Sequence, residues 1–282
     1  MKKILVTGAN GQLGQCIKDA SLAHPDLDFT FATRKELSIE NNQAVLEYFR
    51  KNNFDYCINT AAYTNVEKAE SESDAAFATN AEAVKNLATV CKENNVVLLH
   101  VSTDYVFDGK KGTPYLETDA TNPINVYGAS KLKGEEYIEE IGGNYFIFRT
   151  SWLYSQYGHN FLNTILKYAK EGKALTITTE QTGTPTNAND LASLLLEVIV
   201  SNSEAYGLYH FSNKGEATWF DFAEAILEYS NQLETTNLAK TDHYSTFAAR
   251  PVYSLLDISK AQQVFKLKPL DWKVSLSIIL KK

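Results

Sequence analysis

Thr7-Gly8-Ala9-Asn10-Gly11-Gln12-Leu13-Gly14 is the stretch on which the fold turns. The run before it, Lys2–Val6, reads as a buried strand, and Gln12–Ser21 after it carries helical periodicity. Across that strand-to-helix turn the glycines are spaced G-x-x-G-x-x-G. One glycine permits the tight turn, one lets backbone amides approach a pyrophosphate, and one lets helix and strand pack closely. The helix N-terminus adds partial positive charge at the same place. A glycine-rich turn without a ligand is the alternative reading, and the strand-turn-helix context favours a dinucleotide.

Outward from this turn, short apolar runs alternate with helical patterns. Strands are expected at Asp28–Thr33, Tyr56–Asn59, Val96–Ser102 and Tyr145–Thr150, and helices at Asn42–Asn52, Ser73–Asn94 and Tyr127–Ile141. Such βαβ alternation predicts an α/β fold with a doubly wound parallel sheet. The long segment Phe107–Asn125 carries Gly109, Gly112, Pro114 and Pro123, and is expected to be a loop bordering a substrate. Beyond Thr150 the pattern is less regular, with helices expected at Asn160–Lys170, Asp190–Ser201 and Trp219–Glu228 and strands at Leu175–Thr178 and Leu208–Phe211. The expected division is a dinucleotide-binding domain over residues 1–150 and a smaller, mainly substrate-binding α+β lobe over 151–282, some segments of which return to the first domain. A binding crevice between the two follows.

Composition narrows the function classes. With 282 residues, 44% of them hydrophobic, the chain can bury a full core, and its net charge of -7 gives no basic surface for nucleic acid. The apolar run after Met1-Lys2-Lys3 ends at Thr7-Gly8, too short for a signal peptide, and no 18-residue apolar stretch occurs, so a cytoplasmic protein without membrane attachment is expected. Cys16, Cys57 and Cys91 are scattered and read as reduced core thiols. His24, His100, His159, His210 and His243 form no close pair, and no metal site is expected.

Three further features carry chemistry. The second strand ends in Ala32-Thr33-Arg34-Lys35, where an NAD-preferring protein places an acidic residue. Arg34 there can fork onto a 2′-phosphate, which points to NADPH with NADH as the alternative; otherwise Arg34 is a loop cation beside Glu36. The fourth strand ends in Ser102-Thr103-Asp104, at the carboxyl edge where ligands bind, and a hydroxyl there can donate to a carbonyl oxygen gaining charge. Tyr127 and Lys131 stand four residues apart, on one helix face, so that an ammonium can favour ionisation of the phenol.

Glycine loop, hydroxyl after the fourth strand and Tyr-x-x-x-Lys helix together resemble the extended short-chain dehydrogenase/reductase superfamily, and within it the reductases of dTDP-linked 4-keto sugars. The narrower resemblance extends over nearly the whole chain. It rests on Gly8–Gly14, Asn59-Thr60-Ala61-Ala62-Tyr63-Thr64-Asn65-Val66-Glu67-Lys68-Ala69-Glu70, Ser102–Gly109, Tyr127–Glu135, Arg149–Tyr154, Asn160-Phe161, Gln181–Thr186 and Arg250-Pro251. It implies hydride transfer from NADPH to the 4-keto carbon of a dTDP-linked 6-deoxyhexulose. By the same resemblance Tyr127 donates the proton, Lys131 holds the nicotinamide ribose and Thr103 polarises the carbonyl. Gly8, Gly11, Gln12, Leu13, Gly14, Ala62, Tyr63 and Thr64 are implied as cofactor contacts. Asp104, Trp152, Asn160, Gln181 and Arg250 are implied for the substrate, although Trp152 also suits a core and Arg250 a surface ion pair. Sugar-nucleotide dehydratases of this fold follow the Thr with Asp-Glu; here Thr103-Asp104-Tyr105 lacks the second carboxylate, which disfavours dehydration. Some members use magnesium at a dimer contact made by acidic side chains, but the first helix offers only Asp19, and the metal is not carried over. The alternatives are another oxidoreductase or an epimerase of the superfamily, or a non-catalytic subunit like the regulatory subunit of methionine adenosyltransferase. A monomer or homodimer is expected.

Overall fold

A computed structural model describes residues 1–281. The chain begins with β1 (Lys2–Thr7), α1 (Gln12–Ser21), β2 (Leu27–Ala32), α2 (Asn42–Lys51) and β3 (Tyr56–Asn59). A short α3 (Val66–Ala69) precedes α4 (Ser73–Phe77), a π-helical turn (Ala78–Glu82) and α5 (Ala83–Glu93). Next come β4 (Val97–Thr103), α6 (Val126–Ile141) and β5 (Tyr145–Thr150). The remainder holds β6 (Leu153–Tyr154), α7 (Phe161–Lys170), β7 (Leu175–Thr178), β8 (Thr182–Gly183), β9 (Thr186–Asn187), α8 (Ala188–Val200), β10 (Gly207–His210), β11 (Ala217–Thr218), α9 (Trp219–Tyr229), β12 (Leu238–Thr241), α10 (Ser259–Phe265) and α11 (Trp272–Leu280).

Six strands form one parallel sheet in the order β2-β1-β3-β4-β5-β10. Strand alternation distributes its apolar side chains to two layers: Ile4 and Val6 join α1 and α8 on one face, while Leu5 joins α2, α5 and Ile138 of α6 on the other. All three β1 side chains are fully buried, and each such burial contributes about 1.5–3 kcal/mol. The order reverses between β1 and β3, which opens a crevice at their carboxyl ends. The strand expected at Leu208–Phe211 is the sixth of this sheet, and α8 packs on its α1 face.

A second core gathers Tyr154, Leu162, Ile165, Phe222, Ile226, Trp272 and Leu276 from β6, α7, α9 and α11. The two short parallel strands β7 and β12 pair at its side.

The continuous helix expected over Ser73–Asn94 is interrupted. Gly134 of α6 approaches the Asn80 carbonyl so closely that a Cβ would overlap it, and the backbone swells into a π-turn there. The Asn80 side chain is thereby committed: Oδ1 accepts from the Tyr63 N–H at 2.8 Å, while Nδ2 donates to the Tyr63 carbonyl and the Ser130 hydroxyl at 3.0 Å each. Phe107–Asn125 follows a loop path after a 3₁₀ turn at Asp104–Val106, pinned where Tyr115 bridges Leu256.

Candidate active site

The glycine turn is shaped for a ligand. Gly8 has φ +68°, and a Cβ on it would sit 2.7 Å from the Ala61 nitrogen; one on Gly14 would strike the Gly8 carbonyl at the same distance. Gly11 caps α1 without any side-chain hydrogen bond to the first-turn amides, leaving the positive end of the helix open. A cleft of about 690 Å³ extends from here, lined by Gly8, Gly11, Arg34, Ala62, Tyr63 and Thr64 among others. These residues fit a dinucleotide: backbone donors for the pyrophosphate and a cation for a 2′-phosphate. Arg34 is largely exposed and forks onto Glu40, at 3.0 and 3.1 Å, rather than pairing with Glu36. Glu36 instead accepts from the Thr33 N–H and hydroxyl, which holds its carboxyl below the usual range.

Gln12 and Leu13 have different surroundings. Leu13 is buried in the α1 layer of the core. Gln12 reaches across to the second lobe, donating to the Leu153 carbonyl at 3.1 Å and accepting from Asn160 Nδ2 at 2.7 Å. Asn160 also caps α7 through the Asn163 N–H at 3.0 Å. The glycine turn and the second lobe therefore share a hydrogen-bonded seam.

At the carboxyl end of β4, Thr103 is buried, and its hydroxyl donates to Asp104 Oδ1 at 3.0 Å and accepts from the Tyr105 N–H at 3.2 Å. Asp104 is 2% exposed, and burial pushes its carboxyl up to about 6 while the Ser254 and Thr103 hydroxyls pull it back. Asn125 caps α6 through the Gly128 N–H at 2.7 Å and so sets Tyr127 in the first turn of the helix. Gly128 lets α6 lie against the Tyr105 carbonyl, where a Cβ would overlap. The Tyr127 ring meets that of Tyr105 edge-on at 5.8 Å. Burial raises the Tyr127 phenol above its ordinary value; the Thr103 hydroxyl lowers it, and Asp104 and Tyr105 raise it further. A phenol held protonated in this way is in the form that donates a proton. Lys131 does not point at that phenol. It runs under the helix to the sheet, where Nζ donates to the Val101 carbonyl at 2.6 Å and lies 3.2 Å from His100 Nε2. Glu135, one turn further on, is forked by Arg149 of β5 at 2.6 and 3.0 Å, a buried ion pair that clamps α6 to the sheet.

Beyond the reaction centre lies a second cavity of about 810 Å³, lined by Asn160, Phe161, Lys173, Gln181, Trp219 and Arg250 among others. Trp152 takes a left-handed φ of +44° and stacks on Trp219 at 3.7 Å, the two rings nearly parallel. Gly183 makes room for its indole, since a Cβ there would sit 2.6 Å from Trp152. Gln181 Oε1 accepts from Trp219 Nε1 at 2.9 Å. Arg250 donates to Tyr105 Oη at 3.3 Å and to Glu67 at 2.6 Å. Trp219 and His100 join this neighbourhood from outside every quoted motif, whereas Phe161, Glu67 and Tyr105 lie inside motifs that gave them no role. Among the described residues no cluster of three His, Cys, Asp or Glu side chains is placed to hold a metal, and no helix is long and apolar enough to cross a membrane.

A switch-point crevice, a glycine turn and a Thr/Tyr/Lys set define a Rossmann-like reductase of the short-chain dehydrogenase/reductase type. The chain belongs to the RmlD substrate binding domain family, whose model matches residues 1–282. It is similar to dTDP-4-dehydrorhamnose reductase of Aggregatibacter actinomycetemcomitans, with 37% identity over 289 residues covering 99% of this chain and 98% of the relative. The enzyme of that name from Escherichia coli (strain K12) is 40% identical over 249 residues, covering 85% and 83%. Among solved structures, dTDP-4-dehydrorhamnose reductase from Bacillus anthracis str. Ames in complex with NADP superposes with a TM-score of 0.95 at 35% identity, covering 100% of this chain and 99% of that one.

Proposed function

We propose that this protein reduces the 4-keto group of dTDP-4-dehydro-L-rhamnose to dTDP-L-rhamnose with NADPH, acting in the cytoplasm as a monomer or homodimer. The observation that carries the reading is the meeting of the Thr103 and Tyr127 hydroxyls at the carboxyl end of β4, with the Tyr127 ring against Tyr105, to whose Oη Arg250 of the aromatic cavity donates. Bound in the cleft, NADPH supplies the hydride. Tyr127 delivers the proton to the oxygen at C4, and Thr103 donates a hydrogen bond to the same oxygen as charge develops. Lys131 would hold the nicotinamide ribose. Residues 1–150 chiefly hold the cofactor, through Gly8, Gly11, Gln12, Leu13, Gly14, Arg34, Ala62, Tyr63 and Thr64. The lobe formed mainly by 151–282 receives the sugar nucleotide, through Trp152, Asn160, Gln181 and Arg250 together with Asp104. The aromatic pair Trp152–Trp219 and Phe161 suit a pyrimidine or sugar face, and Arg250 suits a diphosphate.

The test is to offer the purified protein dTDP-4-dehydrorhamnose with NADPH and to follow loss of the reduced-nicotinamide absorbance together with the product. UDP- and GDP-linked 4-keto sugars serve as controls. No consumption with the dTDP substrate defeats the reading, and turnover without net loss of NADPH points to an epimerase.

A further inference from the structure

Beneath the proposed reaction centre a buried chain of side chains leads to Lys131, and the reductase reading gives its other members no task. The Thr7 hydroxyl donates to Asn59 Oδ1 at 2.7 Å, and the Ala61 N–H donates to the same oxygen at 3.3 Å. With its oxygen accepting twice, Asn59 turns its amide Nδ2 to His100 Nδ1, 3.0 Å away. His100 Nε2 in turn lies 3.2 Å from Lys131 Nζ. Thr7 and His100 are fully buried, Asn59 is 1% exposed and Lys131 2%.

Counting donors fixes the proton on the imidazole. An amide nitrogen only donates, so the Nδ1 facing it carries a lone pair, and the neutral ring carries its hydrogen on Nε2. That N–H finds an acceptor in Lys131 only if the amine is uncharged, because an ammonium has three donors and no lone pair. Turning Asn59 over would set its NH2 group against the Ala61 N–H and forfeit that bond. Protonating His100 instead is opposed above all by burial, which pushes the imidazole well below its ordinary range.

We infer that His100, held by Asn59, is a positioning residue that biases Lys131 toward the neutral amine in the cofactor-free protein, so that NADPH binding in mildly alkaline solution draws a proton from solvent onto Lys131. The inference rests on the reading of Lys131 as partner of the nicotinamide ribose. In that step the Nζ lone pair takes a proton from water or buffer, and no bond of the cofactor breaks. The titratable and charged groups facing Lys131 are Glu135 on its own helix, His100 on β4, and Arg149 of β5 behind Glu135, while the Tyr127 phenol, one turn back, points elsewhere. Burial lowers the Lys131 ammonium to about 8 and Glu135 opposes this, which puts the change in proton count within reach of experiment.

Calorimetric titration of the whole protein with NADPH, in buffers of different ionisation enthalpy, reads the proton count. At pH 8 the 2′-phosphate is fully ionised and drops out of the comparison. About half a proton taken up per site is expected there, falling toward none at pH 6.5. His100→Gln offers an ammonium an amide oxygen and is expected to cut the uptake about twofold or more. Asn59→Asp, whose carboxylate would accept the Nδ1 hydrogen and leave Nε2 bare, is expected to do the same and serves if His100→Gln does not fold. Absence of uptake in the parent at pH 8, or undiminished uptake in whichever variant folds, overturns the inference. Turnover in Lys131→Met at the parent rate defeats the underlying reading of Lys131, and the inference with it. Normal parent turnover without proton uptake defeats the inference alone.

Discussion

Arg250 donates to Glu67 at 2.6 Å, joining the loop ahead of the last two helices to α3 at the rim of the cofactor cleft. Glu67 also accepts from the Phe247 and Ala248 N–H groups, at 2.9 and 3.2 Å, so the loop carrying Arg250 is held by one carboxylate. The guanidinium is thus presented to the second cavity before any ligand arrives. Arg250→Ala is expected to raise KM for the sugar nucleotide about tenfold or more, the equivalent of losing one charge-assisted bond to a diphosphate. Because the ion pair is only partly buried, stability should change by less than about 1 kcal/mol. Steady-state kinetics beside urea unfolding separate the two effects; an unchanged KM would assign Arg250 to the loop alone.

Tyr127→Phe keeps the ring that packs on Tyr105 and removes the proton donor. Turnover is expected to fall by about 10²–10⁴-fold with cofactor affinity preserved, whereas Lys131→Ala should impair both. Fluorescence titration with NADPH alongside turnover distinguishes them, and a Tyr127→Phe enzyme at the parent rate would remove Tyr127 from the chemistry.

Arg34 has Glu40 as its only ion-pair partner among the described residues, on the cleft wall itself. In Arg34→Ala the KM for NADPH should rise about tenfold while that for NADH stays within about twofold, since only the first carries the 2′-phosphate. Equal effects on both cofactors would make Arg34 a loop cation.

Gly128→Ala places a methyl group into the Tyr105 carbonyl at the point where α6 meets the end of β4. The helix must move by the overlap, so a loss of about 1–3 kcal/mol or more in unfolding free energy is expected, with turnover falling because Tyr127 moves too. A variant with parent stability and rate would show that α6 has freedom the packing denies it.

The pH dependence of stability should carry the mark of His210, fully buried with Nδ1 at 3.0 Å from the Tyr115 carbonyl. Burial, with Arg149 adding to it, lowers this imidazole from 6.5 to about 3. The unfolded chain therefore takes up the proton first, and stability fully present above pH 6.5 is lost as pH falls toward 3, on the order of 3 kcal/mol by pH 4.5. Asp104 works in the opposite sense: its raised carboxyl costs stability as pH rises from 3.8 to about 6. Urea unfolding at pH 4.5 and 7.5 should show a smaller difference between the two in His210→Gln than in the parent. An equal difference would place the acid sensitivity elsewhere.

The sheet and the glycine turn are legible because their signals are local: buried runs such as Ile4-Leu5-Val6, and glycines where φ or a close backbone approach demands them. Thr103, Tyr127 and Lys131 are legible as a set because three motifs must coincide. The break at Ala78–Glu82 carries no glycine or proline; its cause is Gly134, more than fifty residues away. Trp219 falls in no motif and Phe161 in one that gave it no role; only the folded lobe stacks Trp152 on Trp219 and sets Phe161 against it. His100 is a lone histidine in an apolar strand, and nothing local distinguishes it from a core residue. Its partners Asn59 and Lys131 come from β3 and α6, and only the folded sheet brings them together.

The π-turn has a consequence for how this chain tolerates changes of length. A regular helix advances about 100° per residue, so one residue removed from Ala78–Glu82 would restore ordinary winding and rotate α5 by that angle relative to α4. Leu87 and Cys91, which now face the sheet, would swing sideways, and Asn80 would lose its grip on Tyr63 and Ser130 together. Any single-residue deletion there is a change of gearing between the cofactor cleft and the catalytic helix, while a conservative substitution at the same positions leaves the gearing intact.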